Sequence, residues 1–182
     1  APTNQHPQGM HFENSNRLIS NKTGDNQSFL YQYCIGGKTG ETNYAGYCLI
    51  SACRKDDITL IAVQFGDSNN STSKFYRYEV AKKLYDWGYE NYCAVPVTEF
   101  GLQSEFEIQT AGFSPFDSDY GKLKATADLS GLIIKGSKQY LDAIKSDPSG
   151  VIVKINTDKA VAPIKAGDVV GSVEYLFYAQ NP

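Results

Sequence analysis

The amino-acid sequence predicts an α+β part, made of antiparallel strands and a following helix, and then a small all-β, sandwich-like domain. Two long apolar runs, at residues 44–53 and 58–65, are joined by a short charged loop. A helical pattern follows at 75–87, and beyond residue 98 the chain changes to short alternating runs separated by glycines. Apolar residues three and four positions apart indicate a helix, whereas alternation with frequent turns is typical of small β domains.

The two apolar runs predict central strands that are covered on both faces. They read YAGYCLISAC and ITLIAVQF, and they are apolar at nearly every position rather than at every second one. A strand with one exposed face alternates, so a continuous run favours burial on both faces. The charged residues 54–57 are few enough to form a hairpin loop. Before these strands, residues 29–35 predict a short aromatic strand, and GGKTGETN predicts a turn.

The segment FYRYEVAKKLYDW, at residues 75–87, predicts a helix with one apolar stripe. The serines at 71 and 73 offer N-cap side chains, and Gly88 suits the left-handed residue just past a helix end. The stripe consists of Phe75, Tyr78, Ala81 and Tyr85.

A domain boundary is predicted near residues 93–98, because Pro96 favours an extended connector. We therefore expect one domain at 1–94 and a second, all-β domain at 95–182. Within the second domain the runs SEFEIQT, GLIIKG, GVIVKIN and DVVGSVEYLFYA predict strands, and SKQYLDAIKS predicts one short helix.

Composition excludes several classes of function. The net charge of −3 gives no electrostatic reason to expect a nucleic-acid partner. No apolar run approaches the roughly 18 residues of a membrane-spanning helix. The chain starts with the polar stretch APTNQHPQG rather than with methionine, and we interpret it as part of a longer protein.

The four cysteines, at positions 34, 48, 53 and 93, form no C-x-x-C pair, so neither a metal site nor a cofactor is expected. Buried thiols that pack as small apolar side chains are one interpretation. A bridge between Cys34 and Cys48 across a hairpin is the other, if the protein works outside the cytoplasm. The sequence leaves their disulfide state open.

Two K-T-G triplets occur, although about 0.07 are expected by chance in a chain of this composition. Lys22-Thr23-Gly24 lies in an all-polar stretch that is typical of a solvated turn. Lys38-Thr39-Gly40 lies between apolar segments, where an ammonium and a hydroxyl could present charge-assisted hydrogen bonds to a carboxylate. A neighbouring glycine lets an extended peptide approach the strand edge.

These residues carry a resemblance to a known family. Asn16 to Leu18, then GGKTGETNYAGYC, LIAVQFGDS and KKLYDWGYENY resemble the end of a penicillin-binding, β-lactamase/transpeptidase-like domain. More narrowly they resemble the low-molecular-weight D-alanyl-D-alanine carboxypeptidases. APIKAGDVVGSVEY, at residues 162–175, is similar to a hairpin in the small β domain that follows catalysis in these enzymes.

The resemblance implies a substrate-binding strand at Lys38, Thr39, Gly40, Glu41 and Thr42. Lys38 and Thr39 would bind the terminal carboxylate of a peptidoglycan stem peptide ending in D-Ala-D-Ala, or that of a β-lactam. The backbone N–H of Glu41 matches an oxyanion-hole donor, and Thr42 lies at the rim. An inward-pointing Glu41 carboxylate would repel the substrate, so we expect this side chain to point outward.

The family also needs an S-x-x-K nucleophile and an S-x-N motif, both upstream of KTG. Ser71 to Lys74 and Ser68 to Asn70 match these patterns, but both lie downstream of KTG in a helix cap and are common by chance. We therefore expect no catalytic residue on this chain. By the resemblance, the nucleophile would precede Ala1 in a bacterial, extracytoplasmic protein, and membrane association would occur through a segment that this chain does not contain.

Two other functions stay open. A non-catalytic protein that binds or scaffolds the cell wall could retain a KTG strand, and the residues upstream would discriminate it. Alternatively, residues 98–182 act as a β module that spaces a catalytic part from the membrane or contacts partners.

Overall fold

In a computed structural model the chain forms two compact units, Ala1–Cys93 and Ala94–Pro182. The predicted domains, 1–94 and 95–182, stay a prediction that separate expression of the two parts would test. The residues that the structure describes are 2–10, 12–21, 28–67 and 75–178. No helix among them is long and apolar enough to cross a membrane.

The first unit is built on an antiparallel sheet of three strands in the order β1-β2-β3. The strands are β1 (Cys34–Thr42), β2 (Gly46–Lys55) and β3 (Ile58–Asp67). The predicted turn GGKTGETN is wrong, because Gly36 to Thr42 lie inside β1 and pair with the apolar run of β2. The turn is formed by residues 43–45 instead, ahead of Gly46, whose φ of 63° favours glycine.

The aromatic segment at 29–35 is a strand only at its end, since β1 begins at Cys34. Its side chains are nevertheless core residues: Phe29 and Tyr31 are buried beneath the helix of this unit. Burial, rather than strand pairing, accounts for the apolar character of this segment.

Helix α1 (Tyr76–Asn91) covers one face of the sheet. Its predicted stripe is confirmed, because Tyr78, Ala81 and Tyr85 are almost fully buried in the core. The predicted end at Gly88 is wrong: the helix continues to Asn91, and Gly88 is a buried helical residue. A β-carbon on Gly88 would lie 2.5 Å from the Leu60 side chain, so close packing explains this glycine. The proposed serine caps lie outside the described residues.

The opposite face of the sheet is exposed in this chain. Ile61, Val63 and Phe65 on β3 are 70%, 53% and 74% exposed, and Ile50 on β2 is 46% exposed. Ile50 pairs with Val63, so these side chains share one surface, which we call the outer face. The prediction that both faces are covered is therefore wrong for this chain, where α1 covers one face only.

The second unit consists mostly of paired strands, in agreement with the predicted fold class. Strand β4 (Tyr92–Pro96) pairs with β7 (Ile133–Ser137), β5 (Glu105–Gln109) with β6 (Lys122–Thr126), and β8 (Ile152–Asn156) with β9 (Ser172–Leu176). Side chains from the β5-β6 and β8-β9 pairs share one apolar core, including Phe106, Ile108, Val153 and Val173. The predicted short helix is confirmed as α2 (Lys138–Ser146), which Ser137 caps by accepting from the Tyr140 N–H.

Tyr85 links α1 to the sheet, and its loss should destabilise the first unit. Its hydroxyl donates to the Ser51 carbonyl at 2.6 Å and accepts from the Ala62 N–H at 3.2 Å. Tyr85→Phe leaves these buried groups unpaired, so we expect a loss of about 1–3 kcal/mol in the free energy of unfolding, measured by urea denaturation.

A second measurement compares how the free energy of unfolding changes with pH in the parent chain and in the Tyr85→Phe variant. Burial raises the pKa of the Tyr85 hydroxyl above its usual 10.0. The stabilisation linked to this group is thus present below pH 10 and is lost as the pH rises above it. Tyr76→Phe, on the exposed side of α1, is the control and should match the parent chain. Equal stability of the Tyr85→Phe variant would contradict the proposed link.

The outer face predicts self-association of the isolated chain. Val63→Thr with Phe65→Thr should weaken bis-ANS binding and lower the apparent mass in sedimentation, because an exposed apolar patch is removed. Stability should change little, since both side chains are exposed. Tyr44→Thr removes a fully exposed aromatic ring outside this face and is the matched control. If the control reduces association as much as the double variant does, the outer face is not the cause.

Candidate functional site

The predicted substrate-binding residues lie along an edge strand. Only β2 neighbours β1 within the described sheet, so the other edge of β1 pairs with no strand. Lys38, Thr39, Gly40, Glu41 and Thr42 form the last five residues of β1. An edge strand can accept an extended peptide through main-chain hydrogen bonds.

Neighbouring residues of this strand point to opposite faces of the sheet. Lys38 pairs with Ile50, so its side chain belongs to the outer face. Thr39 pairs with Leu49, which is buried beneath α1, so its side chain belongs to the helix-covered face. The Lys38 ammonium folds back and donates to the Thr39 carbonyl at 2.6 Å. The ammonium and the hydroxyl therefore flank the free edge from its two sides.

The hydroxyl of Thr39 is held by the segment before β1. Ser15 Oγ and Thr39 Oγ1 are hydrogen-bonded at 2.8 Å. The Ser15 carbonyl in turn accepts from the Tyr78 hydroxyl of α1 at 2.8 Å. A polar chain thus connects the helix to Thr39 and positions its hydroxyl.

Gly37 lets the same segment approach β1 closely. A β-carbon at Gly37 would lie 2.4 Å from the Ile50 carbonyl oxygen and 3.0 Å from Asn16 Nδ2. Its φ of 155° also disfavours other residues. Asn16 is almost fully buried, and its Oδ1 accepts from the Leu18 N–H at 3.0 Å. The two adjacent glycines therefore differ in their surroundings. Only Gly37 has no room for a β-carbon, whereas a β-carbon at Gly36 would meet open space.

A buried guanidinium lies behind the motif. Arg77, on α1, is 8% exposed, and its Nη1 donates to the Gly40 carbonyl at 3.4 Å. Its guanidinium carbon lies 5.3 Å from the centre of the Tyr47 ring and 5.1 Å from that of Tyr78. These contacts are in the range of cation–π attraction. They place a second positive charge beside β1, on the face opposite Lys38.

The end of β1 is open. Glu41 is exposed, and it pairs with Tyr47. Thr42 is also exposed, and its Oγ1 accepts from the Ala45 N–H at 2.9 Å. The Thr42 hydroxyl therefore stabilises the following turn.

Comparison with known proteins identifies curated relatives of this chain. The chain is 28% identical over 140 residues to D-alanyl-D-alanine carboxypeptidase DacC of Escherichia coli (strain K12) and 29% identical over 140 residues to DacA of the same strain. Each alignment covers 77% of this chain and 31% of the relative. The resemblance to the D-alanyl-D-alanine carboxypeptidases is confirmed. The chain spans about a third of the length of these curated relatives.

The other comparisons add less. No family model matches the chain. A solved structure of the carboxypeptidase DacD from Francisella tularensis is 26% identical, with 81% of this chain and 32% of that chain covered and a TM-score of 0.40.

Some predicted motifs cannot be placed. Lys22-Thr23-Gly24, Ser68 to Asn70 and Ser71 to Lys74 lie outside the described residues. The residues that sequence reasoning missed as part of the site are Ser15 and Arg77. Ser15 directly precedes the Asn16–Leu18 segment of the resemblance and Arg77 lies in the predicted helix, but only the folded chain brings them to β1.

Other features of the described residues lie away from β1. No group of three or more His, Cys, Asp or Glu side chains among them could hold a metal ion. An open, mostly apolar cavity of about 820 Å³ lies in the second unit, where Phe106, Leu123 and Val173 line it. It contains none of the predicted substrate-binding residues.

Substitution of the two adjacent glycines tests the close approach at β1. Gly37→Ala should lower the melting temperature by several degrees, because its β-carbon would overlap the backbone of β2 and approach Asn16. Gly36→Ala should have little effect, since the same atom there meets open space. Differential scanning calorimetry measures both. Equal melting temperatures for the two variants would contradict the described packing.

Proposed function

We propose that this chain is part of a serine-type D-alanyl-D-alanine carboxypeptidase of the bacterial cell envelope. In this proposal Lys38 to Thr42 bind the substrate, and the nucleophilic serine belongs to another part of a longer protein. The observation that carries the proposal is the free edge of β1, flanked by Lys38, Thr39 and Arg77, in a chain similar to these enzymes.

The charges at β1 suit a carboxylate. An ammonium, a hydroxyl and a guanidinium lie on or beside three successive residues, and charge-assisted hydrogen bonds of this kind are among the strongest in proteins. Lys38 would turn from the Thr39 carbonyl to the substrate, because its side chain is exposed. Arg77 would act through its positive charge and by holding the Gly40 carbonyl. A stem peptide ending in D-Ala-D-Ala and a β-lactam both present such a carboxylate.

The outer face supports a site shared with another part of the protein. Lys38 projects from the same surface as Ile50 and Val63, which are exposed here. Contiguous apolar surface of this kind marks an interaction site. A further part of the longer protein that covers this face would bring a serine to the side of β1 where Lys38 lies.

The reaction proposed for the longer protein is acyl transfer. The serine oxygen attacks the carbonyl carbon of the penultimate D-Ala as its proton passes to a base, and the terminal D-Ala leaves with a proton. Water then hydrolyses the ester and regenerates the serine. The Glu41 N–H would stabilise the negative oxygen of each tetrahedral intermediate. A β-lactam would acylate the same serine by opening its ring.

Fluorescent penicillin tests this division of roles. We expect covalent labelling of the longer protein and none of the 182-residue chain. Labelling of the chain itself would contradict the assignment of the nucleophile to another part. Absence of labelling in the longer protein would instead favour the non-catalytic, cell-wall-binding alternative.

Lys38→Ala in the longer protein should lower the second-order rate of penicillin acylation by about 10- to 100-fold, because one charged hydrogen bond to the carboxylate is lost. Lys83→Ala, which removes an exposed ammonium from α1, is the matched control. Stopped-flow acylation kinetics measure both variants. An unchanged rate for Lys38→Ala would exclude the proposed carboxylate contact.

A further inference from the structure

Two cysteines face each other across the β1-β2 pair, near the start of the strand that carries the candidate site. Cys34 is the direct partner of Cys53 in the antiparallel register. Both are thiols in the structure, with Cys53 buried and Cys34 half-buried against the same core. Partners in a ladder project from the same face, so both thiols lie on the side covered by α1.

The backbone hydrogen bonds identify the type of pair. The Arg54 N–H donates to the Tyr33 carbonyl at 2.8 Å, one residue outside the pair, whereas the Cys34 N–H donates to the Tyr31 carbonyl at 2.9 Å. Cys34 and Cys53 thus form a non-hydrogen-bonded pair, for which the Cα atoms are about 4.5 Å apart. That separation lies within the range of about 4.4–6.8 Å that disulfides span.

The register excludes the other bridge that the sequence left open. Cys48 pairs with Gly40, which lies six residues beyond Cys34 along β1. At about 3.4 Å per residue, Cys34 and Cys48 are roughly 20 Å apart, well beyond the reach of a disulfide.

We propose that Cys34 and Cys53 are joined by a cross-strand disulfide when the protein meets a disulfide oxidant, such as oxidised glutathione or a disulfide-bearing oxidoreductase. This inference rests on the direct pairing of Cys34 with Cys53 in the β1-β2 register. The expectation that the protein meets such an oxidant outside the cytoplasm rests on the proposed function.

The two sulfurs have different parts in the exchange. Cys34 is half-buried, so its thiolate attacks a sulfur of the oxidant and releases one thiolate, which leaves a mixed disulfide at Cys34. The Cys53 thiolate then attacks Cys34 Sγ and displaces the other half of the oxidant as a second thiolate. The protein loses two electrons and two protons, and the oxidant becomes two thiols. Burial is the main cause, and the nearby Cys34 the second cause, that raises the pKa of the Cys53 thiol to about 12. Because little of this thiol is ionised, the second step is the slower one.

The bridge would close a loop that contains all the predicted substrate-binding residues. Residues 38–42 and the hairpin turn all lie between Cys34 and Cys53. Cross-linking of this loop restricts the unfolded chain and stabilises the fold. It would therefore hold β1 in the register that places Lys38 and Thr39 at the free edge.

Mass spectrometry of the purified chain tests the bridge. The chain is incubated with oxidised glutathione, alkylated and digested without reduction. We expect an intact mass lower by about two hydrogens, a cross-linked peptide pair containing Cys34 and Cys53, and a rise in melting temperature of about 5–15 °C that dithiothreitol reverses. Cys48→Ser is the matched control and should retain the cross-link and the rise. Cys34→Ser should lose both.

Each other outcome contradicts the bridge. Glutathione that stays on Cys34 without an internal cross-link, or a cross-link that includes Cys48, would overturn the inference. Cys34→Ser keeps the test usable even if a substitution of the buried Cys53 impairs folding. The readouts do not depend on penicillin labelling, so failure of the bridge and failure of the proposed function are distinguishable.

Discussion

The register of β1 against β2 is the constraint on which the candidate site depends. It places Thr39 opposite Leu49 on the helix-covered face and Lys38 opposite Ile50 on the outer face. A slip of one residue would exchange the two faces, so the ammonium and the hydroxyl would change sides. The close approach of Gly37 to the Ile50 carbonyl and to Asn16 opposes such a slip. The same register brings Cys34 to Cys53.

Helix α1 supports this arrangement through polar as well as apolar contacts. Tyr85 fixes the helix to β2 and β3, while Tyr78 reaches Ser15 and Arg77 reaches Gly40. Each of these side chains is buried, so each hydrogen bond would leave an unpaired polar group behind if it broke. The helix thus acts as the rigid support for β1, although none of its residues belongs to the K-T-G motif.

The two faces of the sheet have different parts in the proposed function. The helix-covered face orients Thr39 and carries the positive charge of Arg77. The outer face presents Lys38 among exposed apolar side chains, where a further part of a longer protein could supply the nucleophile. This division explains why a chain that carries the proposed substrate-binding strand is proposed to lack catalysis by itself.

The sequence alone determined the strands at the two apolar runs, the two helices and the family resemblance, while the substrate-binding role of β1 stays a prediction. Apolar runs, the helical stripe of Tyr78, Ala81 and Tyr85, and the rare K-T-G triplet are local patterns, which a sequence records directly. The predicted turn at GGKTGETN and the predicted helix end at Gly88 are wrong, because turn and cap propensities are weak beside strand pairing and tight packing.

Only the tertiary structure decided which cysteine faces Cys34, which serine holds Thr39 and which arginine lies behind Gly40. These partners are between 19 and 37 positions apart, and a periodic pattern carries no information on register or on contacts over such separations. The tertiary structure also showed that one face of β2 and β3 is exposed in this chain. The sequence predicted burial there because the residues are apolar, but apolar character does not specify what covers them.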